Sequence, residues 1–145
     1  MITEDFVGYG ARVAVDFGGK IEGEEMTEKV VDFMSRISLD CVDAGVKLIG
    51  HIKSITDVEG GGYLACSVTN HEGKVRTDGK LHGGSSLEMI LNVMIYGLDE
   101  HDVSEIVEPR TRDFFLTQGG SVHVEQLEGE EQDHDHSRSN VTLEL

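Results

Sequence analysis

The sequence predicts an α+β fold: a two-layer sandwich with helices packed on one face of a largely antiparallel four-stranded sheet, and strand-like termini added to it. Three observations carry this. Residues 24–44 hold one apolar stripe at helical spacing. Residues 46–96 hold four segments that alternate with period two. The connections between those segments are short, which favours antiparallel neighbours in a meander.

In chain order, residues 6–21 read as a strand-like segment, with Arg12-Val13-Ala14-Val15-Asp16-Phe17 before a Gly18-Gly19 turn. Next comes the strongest element. Met26, Val30, Phe33, Met34, Ile37, Cys41 and Ala44 recur at intervals of three and four, which places them along one side of an amphipathic helix. Glu24, Glu25 and Glu28 lie in its first turns, where the helix dipole favours anions, and Gly45 follows as a left-handed C-cap.

The four strands are expected at 46–56, 63–69, 74–81 and 86–96. Gly60-Gly61-Gly62 serves the first connection and Asn70-His71-Glu72-Gly73 the second. Alternation assigns the faces. Val46, Leu48 and Ile52, Leu64, Cys66 and Val68, Val75, Thr77 and Leu81, and the odd-numbered residues from Leu87 to Ile95 form an apolar face that packs on the helix. The opposite face mixes Ile49, His51, Lys53, Ile55, Tyr63, Ala65, Arg76, Glu88, Ile90, Asn92, Met94 and Tyr96. Its apolar members, Ile49, Ile55, Tyr63, Ile90, Met94 and Tyr96, form a patch too large to leave wet. Either the terminal segments cover it or another subunit does. Asp99 then caps a short helix carrying Val103, Ile106 and Val107 inward, which Pro109 ends or bends. Residues 121–125 can form an edge strand. Residues 1–127 make one domain, and 128–145 an acidic, histidine-containing disordered tail.

Composition narrows the function. The chain has 145 residues and a net charge of −16, from 28 acids against 12 Lys plus Arg. That argues against nucleic acid and anionic membranes as partners. The first residues, Met1-Ile2-Thr3-Glu4-Asp5-Phe6, have neither a basic region nor an apolar stretch, and no run is long enough to span a bilayer. A cytoplasmic location is the expectation. Cys41 and Cys66 fall in apolar patterns and read as reduced, inert core thiols.

Two constellations can bind ligands. His51 and Lys53, two apart on a strand, point the same way and can hold a carboxylate or phosphate. Asp133-His134-Asp135-His136 can hold a divalent transition metal through His134 and His136, with His123 as a third ligand. Gly60-Gly61-Gly62 leads into a strand and not a helix, so it reads as a hairpin connection and not a phosphate loop. No catalytic motif is present.

The order of a helix, Gly45, a strand with His51-Ile52-Lys53, a glycine-rich turn, Tyr63-Leu64-Ala65-Cys66-Ser67-Val68-Thr69 and Leu91-Asn92-Val93 resembles the C-terminal accessory domain of CobW/HypB-type P-loop GTPases. The match spans residues 24–107. Those GTPases are metallochaperones or cobalamin-associated proteins. The chain has no Gly-x-x-x-x-Gly-Lys-(Ser/Thr), so nucleotide chemistry would reside on another polypeptide. The resemblance implies a non-catalytic binding or assembly module, homo-oligomeric or bound to such a GTPase. The alternative is a protein that binds a small molecule or metal through His51 and Lys53 or through the histidine tail.

Overall fold

The computed structural model describes residues 6–116 and 119–127. Elements run β1 (Phe6–Ile21), α1 (Gly23–Asp43), β2 (Leu48–Val58), β3 (Gly62–Val68), β4 (Arg76–Leu81), β5 (Gly84–Tyr96), α2 (Glu100–Phe115) and β6 (Ser121–Leu127). The sheet has six antiparallel strands in the order β4-β3-β2-β5-β1-β6. The four-stranded sheet expected from sequence is therefore corrected. β1 is an interior strand between β5 and β6, and β6 is the edge. The molecule remains a helix layer on a sheet layer.

The simple meander is corrected too. β2, β3 and β4 follow one another, but β5 returns to pair with β2 on the far side. This is the Greek-key arrangement. The return passes over the tip of the β2–β3 hairpin, and the glycines there allow it. A Cβ on Gly60 would lie 2.7 Å from the Gly83 carbonyl oxygen. Gly62, at φ +90°, would meet the Lys80 carbonyl oxygen at 2.6 Å. The glycine triplet is thus a backbone crossing, in keeping with the hairpin reading of it.

α1 forms as its stripe requires. Met26, Val30, Phe33, Met34, Ile37 and Cys41 are fully buried against the sheet. Each such side chain contributes about 1.5–3 kcal/mol by leaving water. Gly45 follows the helix at φ +105°. α2 begins at the Asp99 cap, whose Oδ1 accepts from the Asp102 amide at 2.9 Å. It continues through Pro109 to Phe115, longer than expected. Packing outweighs the amide that proline lacks: Phe114 and Phe115 stack on Phe33, with centroids 5.6 and 4.9 Å away. Arg110 Nε donates to Asp40 Oδ2 at 3.0 Å and ties α2 to α1. Tyr9 Oη donates to Glu108 Oε2 at 3.0 Å and ties α2 to β1.

Both helices lie on one face. Beneath them sit Tyr9, Ala11, Val13 and Val15 of β1, Leu64, Cys66 and Val68 of β3, and Leu87, Met89, Leu91, Val93 and Ile95 of β5. No helix among the described residues is long and apolar enough to cross a membrane.

Candidate functional site

Among the described residues the other face of the sheet carries no helix, and its residues follow from the register. One transverse row holds Arg76, Ser67, Lys53, Asn92, Gly10 and Leu127, from β4 to β6. Two residues along stand Asp78, Ala65, Ile55, Ile90, Arg12 and Glu125. The third row is Lys80, Tyr63, Asp57, Glu88, Ala14 and His123. Beyond the first row lie His51, Met94 and Gly8, then Tyr96 between Leu48 and Phe6. Asp16 stands past the third row, between Ser86 and Ser121.

Most of the mixed face expected from sequence is here, but Ile49 is not. It is buried at 4 % exposure, while Leu48, expected in the core, is 48 % exposed. The cause is a bulge. The pairing with β5 shifts between Ile49 and His51, so Gly50 is an extra residue and the side chains before it change face. A Cβ on Gly50 would lie 3.1 Å from both the Met94 carbonyl oxygen and Phe6 Cε1. Glycine therefore lets Phe6 lie across the bulge, where its ring meets Tyr96 at a centroid distance of 5.6 Å.

The two terminal segments do not cover this face. They lengthen it, because both are strands of the sheet. Phe6, Leu48, Tyr63 and Met94 are 38–48 % exposed on it, and Ile55, Ile90 and Tyr96 are half-buried.

Lys53 and Arg76 stand in the first row, Lys80 and the Asp57–Glu88 pair in the third, and Asp78, Arg12 and Glu125 in the row between, beside Ile55, Ile90 and Ala65. Arg12, Lys53, Arg76 and Lys80 face Asp16, Asp57, Asp78, Glu88 and Glu125, so the face is one charge from neutral in a chain of net charge −16. Among the described residues the ion pair that forms is Arg110–Asp40, on the helix side. Tyr63 Oη donates to Asp78 Oδ2 at 3.2 Å, and that bond raises the phenol's pKa.

His51 and Lys53 both reach this face. Partial burial, and then the Lys53 ammonium, push the His51 pKa below its ordinary value. His123 lies on β6 opposite Ala14, five strand positions from β4 across the sheet. His134 and His136 lie outside the described residues, and no metal-ligating group of three or more side chains occurs among those described. A cleft of about 340 Å³ opens at the hairpin end of the face, between Asp57, Val58, Glu59 and Ser86, Leu87, Glu88. Cys41 and Cys66 are buried, and burial pushes each thiol up to about 11.

Sequence reasoning passed over Phe6, Arg12 and Asp57 as members of this face and put Leu48 in the core. The alternation of residues 11–17 held the signal for Arg12, since it puts Arg12, Ala14 and Asp16 on one side. No known family matches the chain, and no curated protein matches it.

Proposed function

We propose that the chain is a non-catalytic assembly module whose open sheet face docks a protein, in the service of metal or corrinoid handling by a P-loop GTPase. The observation that carries this is the face itself: free of helices among the described residues, partly apolar and near neutral in a strongly acidic chain. An apolar patch of this kind marks an association surface. The GTPase connection rests on the resemblance carried by His51-Ile52-Lys53 and Leu91-Asn92-Val93 in the sequence.

The test is calorimetric titration of the chain into a metallochaperone-type GTPase that lacks such a domain, with guanine nucleotide present. Stoichiometric binding that Ile90→Glu abolishes, with the circular dichroism unchanged, is the expected result. No binding, or equal binding by the variant, overturns it.

A second reading has its own observation. Lys53 and His51 stand two residues apart on the same face, so an ammonium and an imidazole that can donate a hydrogen bond lie side by side there. Inorganic phosphate bound there would raise the His51 pKa, read from the ring protons by NMR. An unmoved titration curve rejects the site.

A further inference from the structure

We propose that the outer edge of β6 pairs with β6 of a second copy of this chain, antiparallel and centred on Val124, so that two six-stranded sheets join into one. This surface is distinct from the open face, which the pairing leaves uncovered.

β4 and β6 are the two edges of the sheet. An edge strand presents backbone N–H and C=O groups to which another strand can add, and proteins blunt such edges with cations, proline or bulges. β4 is blunted: Arg76 and Lys80 stand on it, and Gly79 at φ +93° breaks its extended backbone. β6 has none of these devices. Ser121–Leu127 holds no Lys, Arg or Pro, and its register with β1 runs unbroken from Asp16↔Ser121 to Gly10↔Leu127. Its outward backbone groups have no partner strand among the described residues.

Residue order selects the occupant and the register. A two-fold axis normal to a continuous sheet preserves its faces, so residues set opposite each other must both be odd-numbered or both even-numbered. Of the registers this allows, the one centred on Val124 alone pairs all seven residues of β6. Val124 meets its own mate, Val122 meets Gln126, Ser121 meets Leu127, and His123 meets Glu125 at two places. At both, an imidazole N–H can donate to the facing carboxylate. No like charges face each other across the join. Moving the centre by one residue sets His123 on His123 or Glu125 on Glu125. Within each copy Arg12 is the neighbour of Glu125 on its other side, so the join extends that row with a donor.

The helix layer leaves room. α2 begins at the Gln126 end of β6, where Gln126 Nε2 donates to Glu100 Oε2 at 2.9 Å. It then runs inward, past Tyr9 of β1 at Glu108 to Phe33 of α1 at Phe115. Gln126 lies opposite Val122 of the other copy, so the two acidic first turns stand about 13 Å apart along the strands. The seven facing pairs supply about six to eight backbone hydrogen bonds.

The test is sedimentation equilibrium of wild type, H123E and H123K at about 0.15 M salt, where charges more than about 8 Å apart are largely screened. His123 is exposed, so neither substitution reaches the core, and circular dichroism checks the fold. Wild type is expected to dimerise. H123E places two carboxylate pairs across the join and is expected to raise the dissociation constant about tenfold. H123K is expected to lower it. Mild oxidation of H123C mixed with E125C reads the register. Directly opposite Cα atoms lie about 4.5–5.5 Å apart, within disulfide reach, whereas like-numbered ones lie about 8 Å apart. The mixture is therefore expected to crosslink as a heterodimer faster than either variant alone, with the native Cys41 and Cys66 buried. A monomeric wild type, three chains that dimerise alike, or a mixture that crosslinks no faster than its components overturns the proposal. Ile90→Glu is expected to keep this dimer and to lose the GTPase, so the β6 pairing and the docking face fail separately.

Discussion

Asp57 and Glu88 stand directly opposite each other across the β2–β5 ladder, and neither forms an ion pair among the described residues. Like charges in that position destabilise a sheet. Glu88→Gln is expected to stabilise the fold by about 0.2–1 kcal/mol in urea denaturation at low salt. The gain should shrink as salt screens the pair. A destabilised variant would show that Glu88 is compensated.

A second stability prediction concerns the covered side of the same strand. Thr56 is fully buried, and its hydroxyl has no hydrogen-bond partner among the described residues. A valine has the same shape without the polar atom. Thr56→Val is expected to stabilise by about 1–3 kcal/mol, the cost of an unsatisfied buried group. Loss of stability would mean that the hydroxyl is satisfied in solution.

The thiols give a chemical check on the core. Burial holds Cys41 and Cys66 up at about 11, so few thiolates form at neutral pH. An aromatic disulfide reagent at pH 8 is expected to label neither in the native protein and both in denaturant. Rapid native labelling of either one would contradict the packing of α1 on β3.

Proton linkage at His51 has a definite sign. The folded-state pKa is lowered below 6.5, so the unfolded chain binds this proton more readily. The fold bears no penalty above that value and loses stability as pH falls through it. His51→Gln is expected to flatten the stability profile below about pH 6.5. A profile equally steep in the variant would place the linkage elsewhere.

Much of this was legible in the sequence, for identifiable reasons. The stripe from Met26 to Ala44 has one solution, a helix with one buried side: its six members from Met26 to Cys41 are fully buried, and Ala44 is exposed as the C-cap. Asp99 caps α2 because its side chain reaches an amide three residues on. Alternation put Lys53, Ile55, Ile90 and Asn92 on one face correctly.

What failed has physical causes too. Alternation fixes faces but not neighbours, so nothing in residues 6–21 showed that β1 would sit between β5 and β6. Gly8 and Gly10 also interrupt that strand's pattern. At Gly50 one extra residue exchanges Leu48 and Ile49, and a period-two count does not see a bulge. Pro109 is expected to end or bend α2, but the helix runs on to Phe115, where Phe114 and Phe115 meet Phe33.

The central claim is that the open face is buried by association. Light scattering on the purified chain and on Ile90→Glu tests it most directly. The account predicts a mass above the 15.9 kDa of one chain for the wild type, alone or with a metallochaperone-type GTPase added, and no association by the folded variant beyond the β6 pairing. A wild type that associates in neither case, or a variant that associates as the wild type does, would contradict it.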